Sequence, residues 1–167
     1  MPSSNPALKP TAPLHQYDLE LFADYYQFYL QDEGADSDLS DAWSDEATDR
    51  LLAVAPGMIG VGTARNMHVP VRIQILEYEP PTDFAEFDQV IECSLEVPSG
   101  RIVAAGCTDY FPEARRIEVP VGLYRVRVGF SNLKSLSADG LDGNDSYYLQ
   151  LWQAPPIEVL ILKKRAI

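Results

Sequence analysis

Eight carboxylates, Asp32, Glu33, Asp36, Asp38, Asp41, Asp45, Glu46 and Asp49, fall within 18 residues, and no Lys or Arg interrupts them. A run of this kind repels nucleic acid phosphates and anionic lipid, and it draws in a cationic partner. Paired carboxylates for acid–base work are harder to find. Glu92 and Glu96 share a strand face four residues apart, so they lie roughly 13 Å apart. Glycosidic chemistry needs about 5–9.5 Å. The pair therefore reads as part of a surface charge ladder, with Arg125 and Arg127 facing outward on another strand as partners worth little energy.

Other reactive types are sparse. His15 and His68 are the only histidines, and no local pattern ties either to a Ser or Cys nucleophile. Cys93 and Cys107 are too few for a disulfide framework or a cysteine zinc site. A hairpin turn centred on Gly100 sets Cys93 opposite Cys107, while a one-residue slip sets it opposite Gly106. Reduced thiols suit a cytosolic chain, and a redox bond is the alternative. The run Asp139-Gly140-Leu141-Asp142-Gly143-Asn144-Asp145 offers Asp139, Asp142, Asn144 and Asp145 as oxygen donors. Counted from Asp142, however, Tyr147 stands where a calcium loop needs glycine. Asp-Gly turns are the first reading, and an irregular calcium site the second. The glycines at 57, 60 and 62 lack the Lys-Ser/Thr of a phosphate loop. No cofactor is expected.

These residues need elements to hold them. Residues 14–31 read as extended chain, with Tyr17, Leu19 and Leu21 alternating against Asp18 and Glu20. One helix is predicted. Ser44 caps it, Asp45 and Glu46 sit in the first turn, and Ala47, Leu51, Val54 and Ala55 form one apolar face that ends at Pro56-Gly57. Strands follow: 58–64, 69–78, 87–97, 102–107, 116–119, 123–130, 147–153 and 157–162. Tyr148, Gln150 and Trp152 share a face opposite Tyr147, Leu149 and Leu151. They are the candidates for a small-ligand or carbohydrate groove, or for packing between sheets.

The chain has 167 residues, is 46% apolar and 23% charged, and carries a net charge of −12. That suits one globular domain able to bury its own core. Residues 1–13, with four prolines and no apolar stretch, are expected to be a disordered tail rather than a secretory leader, and residues 14–163 a β-sandwich domain. No apolar run approaches 18 residues, so no membrane span is expected; with no export signal a cytoplasmic protein is expected, and its negative charge argues against a nucleic acid or membrane-surface partner. The fold class is mainly β: a single antiparallel β-sandwich, simple or jelly-roll-like, with one short helix.

Several strings, in order and spacing, resemble the competence protein J family, inhibitors of the DNA-entry nuclease. They are Tyr26-Gln27-Phe28, Trp43-Ser44-Asp45-Glu46-Ala47, the 57–75 stretch with Arg65-Asn66 before a strand, and Val119-Pro120-x-Gly122-x-Tyr124. The resemblance covers roughly residues 25–130 and implies a non-catalytic protein that binds and restrains a nuclease. Charge and resemblance lead to one expectation, an inhibitor- or immunity-type binding protein that occludes a basic partner. Its contact residues are Asp32, Glu33, Asp36, Asp38, Asp41, Asp45 and Glu46.

Overall fold

Alternating apolar residues dictate strands with one buried face, and two such faces close on each other. The computed structural model describes residues 13–166. Most of the expected 1–13 tail lies outside the described residues. Among the described residues, eleven strands form two sheets. The six-stranded sheet contains β1 (His15–Phe22), β5 (His68–Ile75), β6 (Gln89–Val97), β9 (Gly122–Ser131), β10 (Ser146–Gln153) and β11 (Leu160–Lys163), in the order β1-β5-β10-β9-β6-β11. The five-stranded sheet contains β2 (Gln27–Asp32), β3 (Leu52–Ala55), β4 (Met58–Gly62), β7 (Arg101–Gly106) and β8 (Arg115–Glu118), in the order β3-β4-β2-β7-β8.

Residues from both sheets meet in one buried cluster. Phe28, Leu30, Ile59 and Ile102 come from one side, and Ile73, Val126, Phe130 and Leu149 from the other. Tyr147 joins them through edge-on contacts with Phe28 and Phe130, at 5.9 Å in each case. The expected sandwich is present. It is not purely antiparallel, because β10 runs parallel to β5 and antiparallel to β9.

Four local expectations change. The extended 14–31 stretch is two strands in different sheets, joined by a turn where exposed Tyr25 and Tyr26 take positive φ values of 58° and 62°. Bulky side chains seldom adopt that conformation. The helix, α1 (Asp45–Arg50), has its expected cap, Ser44 Oγ accepting from Ala47 N at 3.1 Å. It stops at Leu51, which turns left-handed (φ 61°), and Leu52–Ala55 instead pairs with β4. Alternating Leu52 and Val54 serve a strand as well as a helix face.

Pro98-Ser99-Gly100 is not a hairpin. β6 and β7 belong to different sheets, and the chain crosses between them with Gly100 at φ 75°. Cys93 therefore sits beside Val126 of β9, not opposite Cys107. Both thiols are free: Cys93 is buried, and Cys107 donates to the Asp24 carbonyl at 3.3 Å.

Finally, Arg127 and Glu92 do not form a surface ladder. Arg127 Nε meets Glu92 Oε2 at 2.7 Å, and both side chains are at most 6% exposed. The Arg127 guanidinium also donates to the Pro80 and Pro81 carbonyls at 3.2 and 2.9 Å and lies over the rings of Phe84 and Trp152. The 80–84 loop thus caps a polar row that runs from Glu92 through Arg127, Gln150 and Gln74 to Gln16, across five strands. Glu96 stays exposed.

Candidate functional site: an acidic cover on the five-stranded sheet

The acidic segment leaves the central strand β2 and folds back over the outer face of its own sheet. Leu39 and Ala47, with the partly buried Ala42 and Trp43, pack on Ala53 and Met58 and on Tyr29 and Ala55. Gly60 makes the close approach possible, since a Cβ there would stand 2.5 Å from Leu39 Cδ1 and 2.9 Å from Trp43 Cζ2. Trp43 Nε1 donates to Gln27 Oε1 at 2.9 Å, and Ser37 Oγ to the Pro56 carbonyl at 2.7 Å. Burial beneath this cover, together with Cys107 nearby, pushes the Tyr29 hydroxyl pKa up to about 12.

With the apolar side chains turned inward, the carboxylates are turned out. Asp36, Asp38, Asp41, Asp45, Glu46 and Asp49 are all exposed. Glu46 is paired with Arg50 at 3.1 Å, one helical turn on. Among the described residues, Asp36, Asp38, Asp41, Asp45 and Asp49 have no cation within 4 Å. Asp38 accepts from the Ser40 hydroxyl and from Ser40 N, and these bonds hold its pKa below the usual value.

Two of the expected contact residues have structural work instead. Asp32 is only 3% exposed. It accepts from Gly34 N at 2.9 Å, Ser99 N at 3.0 Å and Ser99 Oγ at 2.6 Å, so it fastens the start of the acidic segment to the crossing between the sheets. Alternation along β2 carries this information, because Phe28, Leu30 and Asp32 share one face. Glu33 bridges Arg101 of β7 and Arg116 of β8, each at 3.0 Å. The Arg116 bond and the Arg101 charge hold its carboxyl below the usual range.

The alternative sites fare differently. Trp152 is 3% exposed and lies beside Arg127 on the outer face of its sheet, neither between the sheets nor open to a ligand. Tyr148 and Gln150 are half-buried on the same face; Tyr148 meets Phe87 edge-on, and Gln150 donates to Gln74 at 3.3 Å. In the 139–145 loop, Asp139 Oδ1 accepts from Ser137 Oγ at 2.6 Å and Leu141 N at 3.0 Å. Asp145 is fully buried; one of its oxygens takes Arg65 Nε at 2.6 Å and the other the Tyr147 hydroxyl at 2.7 Å. Asp142 lies in the exposed turn, and the Asn144 carbonyl accepts from Asn132. Among the described residues, no three His, Cys, Asp or Glu side chains gather as a metal would require. His15 and His68 stand at opposite ends of β1 and β5, and each pairs through the backbone with a non-nucleophilic residue.

The molecule is thus a two-sheet β-sandwich carrying an acidic flap over one sheet. Among solved structures it is similar to ComJ, inhibitor of the DNA degrading activity of NucA, from Bacillus subtilis. That match has 17% identity and a TM-score of 0.59, covering 86% of this chain and 98% of that one. It is also similar to the protein described as crocagin biosynthetic gene J, at 21% identity and a TM-score of 0.54, covering 84% of this chain and 96% of that one. At such identities the likeness is one of fold, and it extends the sequence resemblance to the three-dimensional level. No family model matches the chain, and no curated protein matches it in sequence. No helix among the described residues is long and apolar enough to cross a membrane.

Proposed function

We propose that the chain is a non-catalytic binding protein of the inhibitor or immunity type, which occludes the cationic surface of a basic protein such as a nuclease. The observation that carries this reading is the row of exposed carboxylates, Asp36, Asp38, Asp41 and Asp45, without cations of their own and displayed on a cover packed against a sheet. Glu46 and Asp49 extend it. A flap held this way loses little conformational freedom on binding, which favours affinity. Its charge would speed encounter, most at low salt. A fold shared with a described nuclease inhibitor supports the same reading, and a cytoplasmic setting would suit it.

The test is capture of partners on the immobilised protein at low salt, followed by salt-step elution. A basic protein released by salt, with nuclease activity that falls in the complex, is the expected result. With that partner, the Asp36, Asp38, Asp41 and Asp45 to Asn variant should associate at least about tenfold more slowly and show a flatter salt dependence. An unchanged association rate removes the flap from the interface.

A further inference from the structure

Thirteen Lys and Arg residues face twenty-five Asp and Glu in this chain. With acids so abundant, nearly every cation should find one. Of the twelve cations in the described residues, seven arginines have a carboxylate within 4 Å. Five have none. One of these is Arg115, which lies over the Tyr17 ring. The other four, Lys134, Lys163, Lys164 and Arg165, all line a single cleft of about 1020 Å³.

This cleft is set between the end of α1, the 85–88 loop, the turn after β9 and the residues following β11. Two of its cations are held by neutral groups, which position them without cancelling their charge. Lys163 Nζ donates to the Phe84 carbonyl at 3.0 Å, and the Arg165 guanidinium to Gln89 Oε1 at 2.7 Å. Lys134 and Lys164 are exposed at the rim. Two acids also line the cleft, Asp49 and Asp88. Asp88 is engaged by Leu133 N at 2.8 Å. Cations therefore outnumber acids here, against the sign of the whole molecule. Leu51, Phe87 and Leu133 add apolar wall between the charges.

We propose that this cleft binds a small organic anion, a phosphorylated or carboxylated molecule with an apolar body. Like charges gathered in a concave site repel one another, and an anion relieves that repulsion while its body covers the apolar wall. This site meets the acidic flap only at Asp49 and does not rest on the inhibitor reading.

The test is calorimetric titration of the full chain with phenyl phosphate and with benzoate, at matched ionic strength, against inorganic phosphate and chloride. Saturable binding of one aromatic anion, at least about tenfold tighter than inorganic phosphate, is expected. The tighter of phenyl phosphate and benzoate identifies the headgroup. In Lys134→Gln/Lys164→Gln, where two exposed side chains change and the fold should persist, the Kd should rise about tenfold. Arg115→Glu changes net charge by the same amount away from the cleft and should leave binding unaltered. Absence of saturation by either aromatic anion, or equal weakening in both variants, overturns the proposal.

Discussion

Replacing Asp32 by alanine is expected to cost stability and leave partner association intact, the opposite of what its place in an acidic run suggests. The Asp32 carboxylate takes three hydrogen bonds, from Gly34 N, Ser99 N and Ser99 Oγ. Hydrogen bonds to a charged group contribute about 1.5–3 kcal/mol each. Gly34 and Ser99 lie at the surface, so their freed donors regain water and the loss is smaller than the sum. A net cost of about 2–4 kcal/mol follows. For a chain of this size each kcal/mol shifts Tm by about 2–4 °C, so a fall of about 5–15 °C is expected. Asp32→Asn should fall about half as far, because its amide oxygen can still accept from Ser99 while its NH2 meets the Gly34 N–H. Thermal unfolding followed by circular dichroism measures this. A Tm for Asp32→Ala within about 2 °C of the parent would refute the reasoning.

Three further outcomes are expected. Arg65→Met strands the fully buried Asp145 without its cation and should cost about 3–5 kcal/mol in urea unfolding. Tyr147→Phe removes only its bonds to Asp145 and Ala64 and should cost about 1–3 kcal/mol; the reverse order would mean that the pair does not govern the loop. The Glu33 carboxyl is held below its usual value of 4.5 by Arg116 and Arg101, so its contribution is present above that pH and is lost as pH falls through the folded value. The stability gap between the parent and Glu33→Gln should therefore close in acid, and a gap that stays constant with pH would contradict this. Burial pushes the Cys93 thiol pKa up to about 12. Native protein should expose at most one thiol to an aromatic disulfide reagent and unfolded protein two, with or without reductant. A smaller count without reductant would reveal a bond.

Strand alternation was the most readable signal in the chain. Val71, Ile73 and Ile75, and likewise Tyr124, Val126, Val128 and Phe130, point into the core as their spacing predicts. Three features were hidden, each for a physical reason. A Pro-Ser-Gly turn bends a hairpin and carries a chain from sheet to sheet equally well, so local sequence could not locate Cys93. Residues 51–55 satisfy both helix and strand periods, and pairing with β4 decided the matter. Glu92 and Arg127 occupy the outward face as expected, but a distant loop covers them. As for the acidic site, its composition was legible at once. Which carboxylates are free depended on the positions of Ser99, Arg101 and Arg116, far along the chain. The cationic cleft depends on residues from five separate segments and leaves only a faint trace, Lys163-Lys164-Arg165, in a sequence otherwise short of positive charge.

The parallel pairing of β5 with β10 also sets a timetable. Val71 must wait for Tyr147, and at roughly 5–20 residues per second of synthesis that is about 4–15 s. Until then the edge of β5 that β10 will cover has no partner, and the inner face of the β1–β5 pair is the apolar row Val69, Val71, Ile73 and Ile75. Open apolar edges recruit other chains. The pair carries its own guards in Arg72 and Gln74 on the outer face, and in Pro70, which has no N–H to offer, next to the first residue that β10 will pair. A ribosome stalled before residue 146 would therefore hold β5 with that edge open and only these guards against other chains.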